Sequence, residues 1–267
     1  MKKFLNIVLT VLLLAGCSAE ESAAQSEKKN CSMKVATYNL RMDTEKDGQN
    51  AWPNRKELVK ELIVKYDFDI FGTQEGFKHM LDGVAELEGY AYIGAGRDDG
   101  EDAGEHSAIF YRTDKFDVIE KGDFWLSETP DVPSKGWDAV LPRICSWGHF
   151  KCKDTGFEFL FFNLHMDHIG KKARVESAYL VQDKMKELGK GKELPAILTG
   201  DFNVDQTHQS YDAFVSKGVL CDSYEKCDFR YATNGTFNDF DPDSFTESRI
   251  DHVFVSPVFK VKRYGVL

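Results

Sequence analysis

The sequence predicts an α/β protein built from two mixed β-sheets that are covered by helices. Eight short runs have the composition of strands, and two long apolar stripes have the spacing of helices. The helices are too few for a parallel-sheet fold in which every strand is followed by a helix. With 267 residues, 42% of them hydrophobic, the chain is long enough for one large domain with a sizeable core.

The predicted elements follow one another without an internal repeat. The strand-like runs are MKVATYNL, DIFGTQE, YAYIGAG, SAIFYR, ICSWGHFKC, FEFLFFNLHM, PAILTGDF and RIDHVFV. The first apolar stripe consists of Leu58, Val59, Leu62, Ile63 and Tyr66, and the second of Val175, Ala178, Val181, Met185 and Leu188. Each stripe recurs every three or four residues, which is typical of a helix that packs one face on a core.

The first residues predict an export signal. Two lysines precede an apolar run that is too short to span a bilayer as a stable helix. The run ends in LAGC, which resembles a bacterial lipoprotein lipobox and implies cleavage before Cys17 and acylation of that cysteine; the alternative is an ordinary signal peptide. We expect a signal peptide at residues 1–16, a lipidated tether at 17–32 and one domain at 33–267. The expected location is the bacterial cell envelope, periplasmic or at the surface, with membrane contact through the lipid only.

Charge and cysteine content limit the functional classes. The formal net charge of -10 argues against tight, sequence-independent binding to nucleic acid, and no basic stripe with interleaved aromatics is present. A phosphate-bearing substrate remains compatible, because a bound metal ion inverts the local field. The five cysteines after Cys17 show no disulfide framework. Cys221 and Cys227 could pair across a turn, although buried free thiols are the more ordinary interpretation.

Polar residues follow several apolar strands at the point where each strand ends. They are Asn39, Glu75, Asn163, His165, Asp201, Asn203 and Asp251. Taken singly, each has an ordinary explanation as a cap or turn residue. Together, carboxylates and amides at strand ends are typical ligands of a hard cation such as Mg²⁺. A histidine beside them suits charge stabilisation on a phosphoryl oxygen, or proton transfer.

The ordered segments TYN, QE, NLHMDH, GDFN and RIDHVF resemble the endonuclease/exonuclease/phosphatase superfamily from about Met33 to Leu267. GRDDGEDAGEHSAIFYR and FWLSETP resemble an exported bacterial branch of it. The resemblance implies a deoxyribonuclease-like, four-layer α/β/β/α sandwich with its site where the two sheets meet. It also implies hydrolysis of a phosphomonoester or phosphodiester by in-line attack of water, with Mg²⁺, or alternatively Mn²⁺, neutralising charge.

The resemblance assigns roles to the strand-end residues. Glu75 would be the main carboxylate ligand of the metal, and Asn39 would support the metal and a phosphate oxygen. His165 would hydrogen-bond the phosphoryl oxygens in the transition state. Asp201 would position or deprotonate the attacking water, and Asn203 would hold the phosphate.

Other residues are candidates for substrate binding. Asn163 is one of the strand-end residues, and Arg97 and Arg143 could bind the substrate phosphate, although exposed arginines usually remain solvated or form ion pairs. Glu105 and His106 could line the cleft, or they could belong to a solvated acidic loop, which we favour for His106.

The C-terminal end departs from the family pattern. In the family, a Ser-Asp-His segment on one further strand follows the RIDHVF strand, whereas this chain stops at Leu267. The histidine of that segment would be the partner that Asp251 orients, and losing such a group typically costs about 10²- to 10⁴-fold in rate. We therefore expect impaired activity and an unpaired sheet edge. Of the two explanations, a truncated gene product and a pseudoenzyme, we favour truncation. His252 does not replace the missing histidine, because it faces away from Asp251 on a strand; we expect a core residue.

The leading hypothesis is a monomeric, exported, Mg²⁺-dependent hydrolase acting on a phosphate ester. The alternatives are a nuclease similar to 3′–5′ exoribonucleases, a non-catalytic protein that binds a phosphate ligand, and an anchored interaction domain. Fold alone does not select among these.

The lipobox predicts the mature N-terminus. Mass spectrometry of the exported protein should find an acylated Cys17 as its first residue, and Cys17→Ser should release the protein from membranes or prevent its processing. A mature wild-type protein that is soluble and carries no lipid would contradict the prediction.

Overall fold

The computed structural model describes residues 30–189, 193–232, 234–241 and 243–267. The predicted signal peptide and the predicted lipidation site Cys17 lie outside the described residues, so both stay predictions. None of the described helices is long and apolar enough to cross a membrane.

The described residues form twelve strands and five α-helices. The strands are β1 (Val35–Asn39), β2 (Ile70–Gln74), β3 (Tyr90–Ile93), β4 (Ile109–Arg112), β5 (Phe116–Trp125), β6 (Ile144–Cys152), β7 (Glu158–His165), β8 (Ala196–Asp201), β9 (Cys221–Asp222), β10 (Phe229–Tyr231), β11 (Asp251–Val255) and β12 (Arg263–Gly265). The helices are α1 (Trp52–Tyr66), α2 (Lys78–Ala85), α3 (Lys171–Leu188), α4 (Gln209–Val215) and α5 (Ser223–Lys226), and a 3-10 helix at Glu45–Asn50 precedes α1.

Most strands belong to two mixed sheets, as predicted. The first sheet has the order β1-β2-β4-β3, the second has the order β5-β6-β7-β8-β11-β9, and β10 pairs with β12 apart from both. Each large sheet contains one parallel pair, β1 with β2 and β7 with β8, and its other pairs are antiparallel.

Three apolar clusters separate four layers. Ile63 of α1 packs with Phe71 on the outer face of the first sheet, and Val181 of α3 packs on the outer face of the second. Ile70 and Phe161 belong to the cluster between the sheets. Neighbouring residues of β2 enter different clusters, because successive side chains of a strand point to opposite faces. The predicted α/β/β/α sandwich is confirmed.

The structure corrects two details of the predicted elements. All eight strand-like runs contain a strand, but the short strands β9, β10 and β12 and the ten-residue β5 were not predicted. β5 is one of the two edge strands of its sheet, and exposed polar side chains interrupt its apolar positions. The two predicted helices are α1 and α3, yet Leu58 in the first apolar stripe is 64% exposed and borders a groove instead of the core.

The amide of Asn163, on β7, joins the two sheets. Its Nδ2 donates to the carbonyl oxygens of Thr73 (2.8 Å) and Ala108 (2.9 Å), which both belong to the region of the first sheet. Its Oδ1 accepts from Gln74 Nε2 (2.7 Å) and from Thr199 Oγ1 (3.0 Å). All four hydrogen bonds that an asparagine amide can make are therefore formed within the protein.

Gly72 provides the space for this amide. A Cβ at position 72 would lie 2.1 Å from Asn163 Oδ1 and 2.3 Å from Thr199 Oγ1, so no larger residue fits without displacing the bridge. Asn163 is 0% exposed. The prediction that Asn163 binds substrate is therefore wrong, because its amide has no free donor or acceptor and no contact with solvent.

His252 is a core residue, as predicted. It is fully buried beside the rings of Phe202 and Phe254. Its Nε2 lies 2.9 Å from the carbonyl oxygen of Val204, and its Nδ1 lies 2.8 Å from Nη1 of Arg249. Burial lowers the pKa of His252 to about 4, so the ring is neutral at pH 7.

Candidate active site

The predicted strand-end residues other than Asn163 meet at one edge of the sandwich. Asn39 and Glu75 come from the ends of the parallel pair β1 and β2, and His165 lies opposite Asp201 at the ends of the parallel pair β7 and β8. The first residue of β11, Asp251, lies opposite Asp201 on the other side. Each sheet therefore contributes part of the site, as the resemblance implied.

A carboxylate cluster forms the centre of the site. Asn39 Nδ2 donates to Glu75 Oε1 (2.9 Å) and to Asp201 Oδ2 (3.0 Å), and the backbone N–H of Met42 donates to Glu75 Oε2 (3.0 Å). One possible ligand atom from each of Glu75, His165 and Asp201 lies within 4.8 Å of the other two. Asn39 presents its nitrogen to the carboxylates, so in this arrangement it orients the ligands and is not itself one.

Two of the site residues have unusual backbone conformations. Glu75 has a φ of +60° and Asn203 a φ of +52°, in the left-handed region that is unfavourable for residues with a side chain. Asn203 is held there by hydrogen bonds from its backbone N–H to Asp201 Oδ1 (2.9 Å) and from its Nδ2 to the carbonyl oxygen of Met166 (2.9 Å). Such conformations concentrate at functional sites, where the surrounding structure maintains them.

Burial and neighbouring negative charge raise the pKa values of Asp201 and Asp251. Burial raises the pKa of Asp201 to about 6, and the charge of Glu75 adds to the effect. Burial and the charge of Asp201 raise the pKa of Asp251 well above its ordinary value. Oδ1 of Asp251 is buried without a hydrogen-bond partner among the described residues. Oxygen ligands, concentrated negative charge and an unpaired buried oxygen together fit a hard divalent cation.

Hydrogen-bond donors form the other wall of the site. Arg97 makes two hydrogen bonds of 2.8 Å to the carboxylate of Glu105, and Arg143 Nη2 lies 3.0 Å from Nδ1 of His168. Within the described part of the chain, Arg97 Nε, Arg143 Nη1 and His165 Nδ1 are buried and have no hydrogen-bond partner. All three side chains line one small cavity, together with Glu105. Arg143 is thus buried and Arg97 mostly buried, and both side chains line the same cavity.

His165 is held in its neutral form. Burial is the main reason that its pKa lies well below the ordinary value, and the positive charge of Arg143 lowers it further. Its Nε2 lies 3.8 Å from Asp201 Oδ2 and its Nδ1 lies 3.9 Å from Glu105 Oε2. A neutral imidazole has one N–H, which can donate to an oxygen of a bound anion.

The structure also corrects the assignment of His106 and adds residues that the sequence analysis missed. His106 is 2% exposed and its backbone N–H donates to the carbonyl oxygen of Gly76 (2.9 Å), so it does not belong to a solvated loop. Asp167 was overlooked although it lies within NLHMDH; it accepts hydrogen bonds from the backbone N–H groups of Ile169 and Gly170 and from Arg143 Nε. It therefore positions an arginine of the site.

An open groove adjoins the carboxylate cluster. Its volume is about 2010 Å³, and Asn39, Asp251 and exposed Leu58 are among the residues that line it. Among the described residues, β1 is hydrogen-bonded to β2 on one side only, and its other edge faces this groove.

Fold and site define a member of one family of hydrolases. The model of the Endonuclease/Exonuclease/phosphatase family matches residues 36–267, which is most of the chain. The chain belongs to this family, as its motifs had indicated.

Similar proteins occur in Bacteroides. The crystal structure of an endonuclease/exonuclease/phosphatase family protein from Bacteroides thetaiotaomicron is 78% identical, with a TM-score of 0.88 over 89% of this chain and 85% of that chain. A structure of the mannosyl-6-phosphatase Bt3783 of B. thetaiotaomicron VPI-5482 is also 78% identical, with a TM-score of 0.87 over 88% of this chain and 90% of that chain.

Curated relatives are more distant. The uncharacterized protein L388 of Acanthamoeba polyphaga mimivirus is 30% identical over 164 residues, which are 58% of this chain and 60% of that protein. The chain spans less than two thirds of the length of the curated relatives that it matches.

The carboxylate cluster predicts a pH dependence of stability in a chelator. The folded-state pKa of Asp201, about 6, exceeds the unfolded value of about 3.9, so the folded state binds the proton more tightly. The contribution of Asp201 to the free energy of unfolding is therefore fully present below about pH 4. It falls by about 2–3 kcal/mol as the pH rises through 6. An asparagine at this position would not titrate, so the free energy of unfolding of Asp201→Asn should not fall in this way. Relative to wild type, the variant should become more stable by about 2–3 kcal/mol between about pH 4 and pH 7.

Urea unfolding of both proteins at several pH values measures this difference. Asp183→Asn, an exposed position on α3, is the matched control and should change little relative to wild type. A stability difference between Asp201→Asn and wild type that stays constant with pH would contradict the assigned electrostatics.

Proposed function

We propose that the protein is a phosphoesterase that depends on a divalent cation and hydrolyses a sugar phosphate monoester by in-line attack of water. The observation that carries the proposal is the arrangement of the site: a carboxylate cluster lies beside three buried nitrogens that have no hydrogen-bond partner among the described residues, on Arg97, Arg143 and His165. One side suits a cation and the other suits an anion, and a phosphate ester bound to a divalent cation satisfies both.

Glu75 and Asp201, oriented by Asn39, would hold Mg²⁺ or Mn²⁺. The cation, when bound, neutralises charge on the phosphoryl oxygens. Side chains of the protein position the water and bind the phosphoryl group. Asp201 positions the attacking water and accepts its proton. The neutral imidazole of His165 donates its N–H to a phosphoryl oxygen in the transition state.

The two arginines bind the anionic end of the substrate. Arg97 and Arg143 are mostly buried, and each has partners that fix its guanidinium while one N–H stays free. A phosphomonoester carries more negative charge than a diester, so it gains more from two fixed guanidinium groups. The net charge of -10 disfavours an extended polyanionic substrate. A hexose 6-phosphate is the class that the name of the mannosyl-6-phosphatase suggests.

Glu75→Gln tests the cation site. The substitution keeps the shape of the side chain and removes its charge, so we expect phosphate release from mannose 6-phosphate with Mg²⁺ to fall by at least about 10²-fold. Calorimetry should show weaker Mg²⁺ binding by this variant. Glu61→Gln makes the same chemical change on the exposed face of α1 and should leave both measurements unchanged.

The outcomes separate the alternatives. Unchanged Mg²⁺ binding by Glu75→Gln would remove Glu75 from the ligand set. Turnover of a chromogenic phosphodiester, but not of mannose 6-phosphate, would contradict the monoester assignment and support the nuclease-like alternative. Mg²⁺ binding by the wild type without turnover of either ester would support a non-catalytic phosphate-binding protein.

A further inference from the structure

Two cysteines that are about 120 residues apart in the sequence lie in contact in the fold. Cys31 precedes β1, and Cys152 is the last residue of β6. The two side chains interact with each other beside the apolar cluster between the sheets, and both are free thiols in this structure. Their spacing in the sequence gave no indication of this contact, because each residue lies in a different sheet region.

The contact lies at the end of the sandwich opposite the candidate active site. β1 ends at Asn39 in the site, and β6 starts directly after Arg143, so Cys31 and Cys152 lie beyond the far ends of these strands. Cys152 is a buried member of the apolar cluster between the two sheets, and Cys31 packs against that cluster. A covalent bond between them would tie the start of the domain to the second sheet.

We propose that Cys31 and Cys152 are a disulfide-forming pair that closes by thiol–disulfide exchange with a disulfide oxidant. The thiolate of Cys152 attacks one sulfur of the oxidant, whose S–S bond breaks and releases one thiol. Cys31 then loses its proton and attacks Cys152 Sγ in the mixed disulfide, and the second thiol leaves. Two protein thiols are oxidised to one disulfide, and the oxidant is reduced to two thiols.

The surroundings of the two sulfurs support this order of attack. Burial raises the pKa of the Cys31 thiol to about 12. Burial also opposes ionisation of Cys152, but hydrogen bonds from Cys31 and Thr155 outweigh that effect and lower its pKa. Cys152 is therefore the more readily ionised of the two and the nucleophile, since the thiolate is the reactive form.

The remaining described cysteines serve as internal references. Cys145 is fully buried in the core, and burial raises its pKa well above the ordinary value. Cys227 Sγ donates to the carbonyl oxygen of Tyr224 (3.2 Å). Cys221 and Cys227, the pair that the sequence left open, are both free thiols here.

The disulfide should stabilise the domain and leave the site unchanged. Closing so long a loop restricts the unfolded chain, and the expected rise in melting temperature is about 5–15 °C for a domain of this size. Because the bond forms at the opposite end of the strands from Arg143 and Asn39, metal binding at the site should be the same in the oxidised and reduced protein.

Oxidised glutathione tests the proposal on the full chain with Cys17→Ser in every arm. Mass spectrometry of the unreduced digest should find one cross-link, between the peptides that contain Cys31 and Cys152, and the oxidised protein should melt at the higher temperature. Cys31→Ser should lose both effects, and Cys221→Ser should keep both. Melting temperatures are compared between the two redox forms of the same variant, so any destabilisation by the serine itself cancels.

Three results would overturn the inference. They are a cross-link between Cys221 and Cys227 in place of the proposed one, alkylation of both Cys31 and Cys152 after oxidation, and a cross-linked protein whose melting temperature does not rise. None of these measurements depends on hydrolysis, so failure here is distinguishable from failure of the proposed function.

Discussion

The amide of Asn163 fixes the relative position of the two sheets, and the site depends on that position. It connects β7 to the carbonyl oxygens of Thr73 and Ala108, at a point where Gly72 leaves room for close approach. Glu75 extends from the first sheet directly beyond this bridge, whereas the other carboxylates extend from the second. A change in the spacing of the sheets would therefore separate the groups that must act together, as catalytic geometry tolerates displacements of only a fraction of an ångström.

Assembly of this site opposes folding in the absence of a cation. Burial and like charge raise the pKa values of Asp201 and Asp251, and Glu75 and Asn203 occupy left-handed backbone conformations. Strain and perturbed ionisation of this kind are concentrated at functional sites because the chemistry needs them. A divalent cation removes the repulsion, so cation binding, stability and catalysis are linked through the same carboxylates.

The sequence predicted the buried strands and the two long helices better than it predicted which layer or segment covers each residue. Buried strands such as β7 are nearly continuous apolar runs, and the polar residues at their ends stand out against them. The exposed edge strand β5 lacks that contrast and was missed. The alternation along a strand shows which side a residue faces, but it does not show which layer covers that side. For this reason Asn163 was predicted to bind substrate, whereas its amide binds the other sheet. The burial of His106 depends on a distant segment, and no local pattern records it.

The central claim is that Glu75 and Asp201 bind one divalent cation between the two sheets. Anomalous diffraction from crystals grown with Mn²⁺ tests it most directly. The account predicts an anomalous peak in contact with carboxylate oxygens of both residues, beside the donors of Arg97, Arg143 and His165. A peak elsewhere, or none while Asn39 still bridges the two carboxylates, would contradict it.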